Sequence, residues 1–216
     1  MTKVYIYKLT VDDGGAPCVH DGILSLAICK PAIRSVAKRR QIILGFAANS
    51  LYEDNRLIYA ARVTKNLEGR KYFSDASRYG DRPDCIHRWD GHRFEWKTDS
   101  KFHSASDLEH DLGQEPRYNR AHVLLSEGTD NFRYFGDACK VRYKKEYPLL
   151  RILVESIGQG HRVNFGPELH EELSRLINRL WVMPWKYRQT AVPSTPCRDK
   201  CGTGDDEFVG VQCRTS

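Results

Sequence analysis

Residues 27–45 read Ala27-Ile28-Cys29-Lys30-Pro31-Ala32-Ile33-Arg34-Ser35-Val36-Ala37-Lys38-Arg39-Arg40-Gln41-Ile42-Ile43-Leu44-Gly45. Pro31 suits a first helical position, where its fixed φ is right and its missing N–H is not needed. Ile33, Val36 and Ala37 then share one apolar face, which predicts a short helix over 31–39. Arg34 and Lys38 stack one turn apart on another face, one turn beyond Lys30. From Lys30 to Arg40 there are five basic residues and no acidic one. A helix start flanked by Lys and Arg is a place to hold a phosphate. The same pattern also suits a solvated basic face. The run 41–47 that follows is apolar and reads as a strand buried on both sides. After the Asp54-Asn55 turn, residues 57–64 form a second strand, and the two are expected to pair as an antiparallel hairpin.

Working outward, residues 3–10 alternate as a strand, and Asp12-Asp13-Gly14-Gly15-Ala16-Pro17 signals a loop. Residues 20–25 read as a loop leading into 26–29. Residues 121–126 and 132–135 return as strands. The stretch 69–120 is too long for a structureless connection and is expected to hold short elements and part of the site. The clearest helix is 167–180, with Pro167 and Glu168 at its start, Arg175 and Arg179 near its end, and a Leu/Ile stripe for the core. From 191 the chain loses periodicity, so 191–216 is expected to be a disordered tail behind a domain over 1–190. The fold class is therefore α+β, with a small antiparallel, barrel-like sheet and flanking helices.

Composition sets outer bounds. The chain has 216 residues, 40% hydrophobic and 29% charged, which fits a globular domain. No apolar run approaches a membrane span, and a cytoplasmic location without membrane contact is expected. The net charge of +6 is concentrated in 30–40 and 140–145. Two such clusters make a phosphate-binding surface only where they converge in space.

Seven cysteines read as thiols. Cys197, Cys201 and Cys213 lack a fourth ligand, and Cys85, His87, His92 and His103 match no metal-ligand spacing, so no metal or other cofactor is expected. The middle segment also interleaves Trp89 and Trp96 with arginines, a composition suited to base stacking or to packing on a sheet. Gly158-Gln159-Gly160-His161-Arg162 is a turn able to hold an anion. His20 and His161 are the candidates for proton transfer. No phosphate loop, nucleophile elbow or zinc-protease motif is present.

The Cys29-Lys30-Pro31-x-Ile33-Arg34 core also carries a family resemblance. With Val4-Tyr5-Ile6-Tyr7, Leu57–Thr64 as Leu-Ile-Tyr-Ala-Ala-Arg-Val-Thr, Val123-Leu124-Leu125-Ser126, Phe132-Arg133-Tyr134-Phe135-Gly136 and the 158–162 turn, it resembles the nucleotide-modification-associated domain family, second class. Such domains usually place Gly-Asp before the apolar strand, where this chain has Arg40-Gln41. A more distant similarity of topology points to the PUA-like (EVE and ASCH) barrels. The resemblance implies recognising or making modified nucleotides, in DNA modification systems of phages and mobile elements. Two readings follow. One is a binding module with Lys30, Arg34, Lys38, His161 and Arg162 on phosphate and Tyr59, Trp89 or Trp96 on a base, its partner a nucleotide or nucleic acid. The other is an enzyme acting on a nucleotide or modified base, with His20 or His161 as acid or base. A histidine and a carboxylate converging beside Lys30 and Arg34 would favour the enzyme, and an aromatic-walled pocket without such a pair the binding module; the absence of a nucleophile or cofactor motif favours binding, with the enzyme as the alternative.

Overall fold

The computed structural model describes residues 2–139 and 141–192. In chain order the elements begin with β1 (Val4–Leu9), the hairpin β2 (Cys18–His20) and β3 (Ile23–Leu26), and α1 (Pro31–Val36). Next come β4 (Ile42–Ala47), β5 (Leu57–Arg62) and β6 (Lys65–Glu68), then α2 (Gly69–Ser74) and α3 (Ala76–Tyr79). A small hairpin, β7 (His87–Trp89) and β8 (Phe94–Trp96), precedes α4 (Leu108–Leu112). The chain closes with β9 (His122–Glu127), β10 (Phe132–Tyr134), α5 (Tyr143–Glu146), α6 (Pro148–Ser156), β11 (His161–Arg162) and α7 (Pro167–Val182).

These elements build an α+β fold of stacked layers. A five-stranded sheet runs β10-β5-β4-β1-β11, and a four-stranded sheet runs β2-β3-β9-β6. Every neighbouring pair is antiparallel except β1 with β4, which are parallel. One face of the larger sheet, through Val4, Ile6, Leu44 and Phe46, packs under α6 and α7 with Leu150, Leu173 and Leu176. Its other face, through Tyr5, Tyr7 and Ile43, meets Leu24, Leu26 and Leu124 of the smaller sheet. The back of the smaller sheet, through Val123 and Leu125, is covered by Tyr72, Phe73, Phe94 and Phe102. Because both faces of the larger sheet are covered, β4 is buried along its whole length, as its unbroken apolar run requires.

The expected barrel is corrected here: among the described residues the two sheets stay open and no closed barrel forms. The outer strands, β10 and β11 of the larger sheet and β2 and β6 of the smaller, do not pair with each other, so each sheet keeps two edges and the two stack face to face. Residues 18–26 are a hairpin rather than a loop; Asp21 (φ 45°) and Gly22 (φ 71°) make its two-residue turn. The helix from Pro31 is shorter than 31–39. Ala37 is already extended, and the Asn66 amide caps the carbonyls of Arg34 and Ala37. The hairpin of β4 with β5 forms in the expected pairing. The tail expected over 191–216 lies outside the described residues from 193 onward. No helix among the described residues is long and apolar enough to cross a membrane.

Candidate functional site

Cys29 (φ 54°) and Lys30 (φ 44°) both adopt the left-handed conformation just before α1. Two consecutive non-glycine residues in that region are costly and persist only where surrounding contacts impose them. Arg34 imposes them. Its side chain is fully buried, with Nε donating to the Cys29 carbonyl, one terminal nitrogen to the His122 carbonyl and the other to the Asp111 carbonyl, each at 2.6 Å. Burial draws its pKa down to about 10, while Asp111 pulls the other way. The sequence-predicted phosphate ligand is thus a clamp: its donors face three main-chain oxygens inside the protein and none is aimed at solvent.

The clamped turn sends its two side chains to opposite sides. Cys29 places Sγ 3.4 Å from His103 Nε2. The other ring nitrogen, Nδ1, donates to Asp111 Oδ2 at 2.6 Å. Asp111 also accepts from the Cys29 amide at 3.1 Å and from His87 Nε2 at 3.3 Å. Burial pushes the Asp111 carboxyl up, but the two histidines outweigh it and hold the group well below the usual carboxylate range. Burial likewise opposes charge on His103. The Asp111 hydrogen bond and charge, with Asp107 and Asp13 behind them, raise its pKa above the ordinary value. His87 is more deeply buried, its pKa is lowered, and its Nδ1 has no partner.

On the other side, Lys30 lays its ammonium 5.2 Å from the centre of the Tyr7 ring, where burial lowers its pKa. Tyr7 belongs to a row that crosses the larger sheet in register: His161, Tyr7, Gly45, Tyr59, Tyr134. Gly45 makes the row possible, because a Cβ there would lie 2.3 Å from Tyr59 Cε1. The Tyr7 and Tyr59 hydroxyls meet at 2.8 Å over that gap. At the far end Tyr134 donates to Asp12 Oδ2 at 2.9 Å, and Asp12 Oδ1 is buried with no partner. Burial pushes the Asp12 pKa up to about 6.

Of the expected site residues, Lys30, His161 and Tyr59 come together on this row. Tyr59 is fully buried edge-on to Tyr7, so its ring offers no open face for a base. His161 stacks obliquely on Tyr5, whose hydroxyl shares Gln41 Oε1 with the Lys38 amide. Arg162 is exposed and pairs with Ile6, on the opposite face of the sheet. Trp89 and Trp96 pack around the β7–β8 hairpin in the third core. His20 sits on the β2–β3 hairpin beside Asp21. Cys85 contacts Lys97, and His92 lies in an exposed turn. Among the described residues no group of three or more His, Cys, Asp or Glu is arranged to hold a metal ion.

The profile of the nucleotide modification associated domain 2 family matches residues 1–195. The chain belongs to that family. Its name ties this Nmad2 chain to nucleotide modification systems. No curated protein and no solved structure matches it. The Cys-Lys-Pro-x-Ile-Arg stretch of this Nmad2 domain is the strained turn and its clamp. Asp12 meets Tyr134, and Asp111 meets the Cys29 amide, across long separations that the sequence does not reveal, although His103 is only eight residues from Asp111. His103 stands out in the sequence only as a scattered histidine. The nearest local signal is the capping box of Ser104 with Asp107, which seats the turn leading into α4.

Proposed function

We propose that this chain acts chemically on a nucleotide or on a base of nucleic acid, with His103 as the group that moves a proton. One observation carries the reading. A histidine and a carboxylate converge directly behind the Cys29-Lys30 turn, His103 Nδ1 on Asp111 at 2.6 Å with Nε2 turned to Cys29 at 3.4 Å. A carboxylate on one ring nitrogen fixes the tautomer and strengthens the other nitrogen as a base. His103 is only 6% exposed, so proton transfer there is largely shielded from water. His103 thus takes the role that the sequence suggested for His20 or His161.

Lys30, on the other side of the same turn, supplies positive charge for a phosphate, where partial burial strengthens its field. Asp12 Oδ1, an unpaired acceptor, suits the N–H edge of a base. Lys38 and His161 keep the phosphate role suggested for them only as outer contacts, and Arg162, on the opposite face of the sheet, has no part in it.

The test is nucleoside mass analysis. DNA and RNA oligonucleotides and free nucleotides are incubated with the full chain and the small-molecule fraction of a cell extract. The reading expects a mass change in one base or nucleotide that His103→Gln abolishes. Binding that is equal in both proteins, with no mass change, would leave only a recognition module.

A further inference from the structure

Beyond the Cys29-Lys30 turn, the edge of β10 carries a second feature. From the end of α7 onward, burial along the chain beside that strand alternates with a period of two. Trp181, Met183, Trp185 and Tyr187 are half-buried, while Val182, Pro184, Lys186 and Arg188 between them are exposed. Met183, Trp185 and Tyr187, with Thr129, Asp130 and Arg133, line an open cavity of about 340 Å³.

Arg133 of its wall lies against aromatic rings, and Arg62 and Trp181 adjoin it. Arg62 lies 4.9 Å from the Trp181 ring, and Arg133 lies 5.6 Å from Trp181 and 5.0 Å from Trp185. Trp185 meets Tyr187 edge-on at 6.2 Å. Each ring is already tethered. Trp181 donates to the Asp130 carbonyl at 2.8 Å, Trp185 to the Tyr134 carbonyl at 3.1 Å, and the Tyr187 hydroxyl accepts from the Gly22 amide at 3.1 Å. Arg133 is tethered too, donating to the carbonyls of Phe132, Thr129 and Leu180. Rings held this way lose little freedom when a ligand stacks on them. The cavity also abuts the tyrosine row, since Trp185 holds the main chain of Tyr134.

We propose that this cavity is a stacking subsite for one base of a single-stranded polynucleotide, so that the molecule handled at the Cys29-Lys30 turn is a strand and not a free nucleotide. The proposal rests on the nucleotide reading above and names its substrate class. Half-exposed aromatic faces take any base, and Arg62 on the Trp181 ring with the exposed Lys186 match a phosphodiester backbone. The exposed Asp130 carboxylate accepts from base N–H groups and is repelled by phosphate, which places the base inside the cavity and the backbone outside it.

The probes are thymidine monophosphate, oligothymidine and oligouridine of about eight nucleotides, and an abasic strand of the same length, with affinity read by tryptophan fluorescence and calorimetry. Both oligonucleotides should bind at least about tenfold tighter than the monophosphate. Trp185→Leu should remove about tenfold of oligonucleotide affinity and leave the monophosphate unchanged. Trp185 also touches Phe132, so Thr129→Glu serves as a second variant. It alters an exposed side chain at the cavity wall and should weaken oligonucleotides alike. The abasic strand should bind wild type as weakly as the intact strand binds the variants. If the monophosphate binds and neither variant weakens the strands, the stacking subsite is wrong and the nucleotide reading stands. If the abasic strand binds as tightly as the intact one, the surface is a generic polyanion site and the proposal fails. If no probe binds, both readings fall.

Discussion

His103 Nδ1 lies 2.6 Å from Asp111 Oδ2, and the same carboxylate holds the main-chain amide of Cys29 through its other oxygen. One side chain therefore sets the tautomer of the proposed proton carrier and the backbone of the strained turn. Asp111→Asn should lower the His103 pKa, because burial then acts without the opposing charge. The sign for stability follows. The raised His103 pKa stabilises the fold below the unfolded value of about 6.5 and is lost as pH rises through the folded value. The depressed Asp111 pKa stabilises above about 3.9 and is lost as pH falls through the folded value. His87, lowered by burial, costs stability below about 6.5. Histidine resonances followed by NMR across pH check the first point; an unmoved His103 titration in Asp111→Asn would contradict it.

Asp12 has the opposite sign from Asp111. Its pKa rises from 3.8 to about 6 on folding, so the folded state loses stability as pH climbs between those values. The displacement is worth about 3 kcal/mol at neutral pH. Asp12→Asn keeps an acceptor for Tyr134 and removes the charge. It should stabilise the protein by about 1–3 kcal/mol at pH 7.5 and by much less near pH 4.5. Urea unfolding at the two pH values measures the difference.

Arg34 is a structural clamp, which changes what its removal does. Arg34→Met leaves three carbonyls without donors, and Arg34→Lys offers a point charge that cannot reach all three. Both should cost about 3–5 kcal/mol, read by urea unfolding. A stable, normally folded Arg34→Met protein would show that the turn is held by something else.

Gly45 is fixed by its neighbour on β5. Gly45→Ala should destabilise by about 1–3 kcal/mol, because the new Cβ meets the Tyr59 ring. Tyr59→Leu in the same chain should recover much of that loss. If the double variant is no better than the sum of the singles, the ring is not the obstacle.

How much of this was legible in the sequence divides along contact range. The alternation in Val4-Tyr5-Ile6-Tyr7, the apolar run at Ile42 and the stripe on Leu169, Leu173 and Leu176 are local, and each element formed where expected. Pro31 marked the helix start, and Lys30 the turn beside it. Arg34 misled because charge is visible in a sequence while direction is not; its partners, the His122 and Asp111 carbonyls, lie 88 and 77 residues away. The same holds for Asp12 and Tyr134, separated by 122 positions. The sheet stayed open because its outer strands β10 and β11 do not pair, and strand patterns alone reveal neither that nor the parallel pairing of β1 with β4.

The most direct measurement of the central claim is an NMR titration of the histidine side chains of the full chain with a nucleoside monophosphate. The account predicts that the ligand shifts the His103 Nε2 resonance and moves the His103 pKa, that Lys30→Met weakens the effect, and that His20 is untouched. Saturable binding that leaves His103 unperturbed at every pH would contradict it.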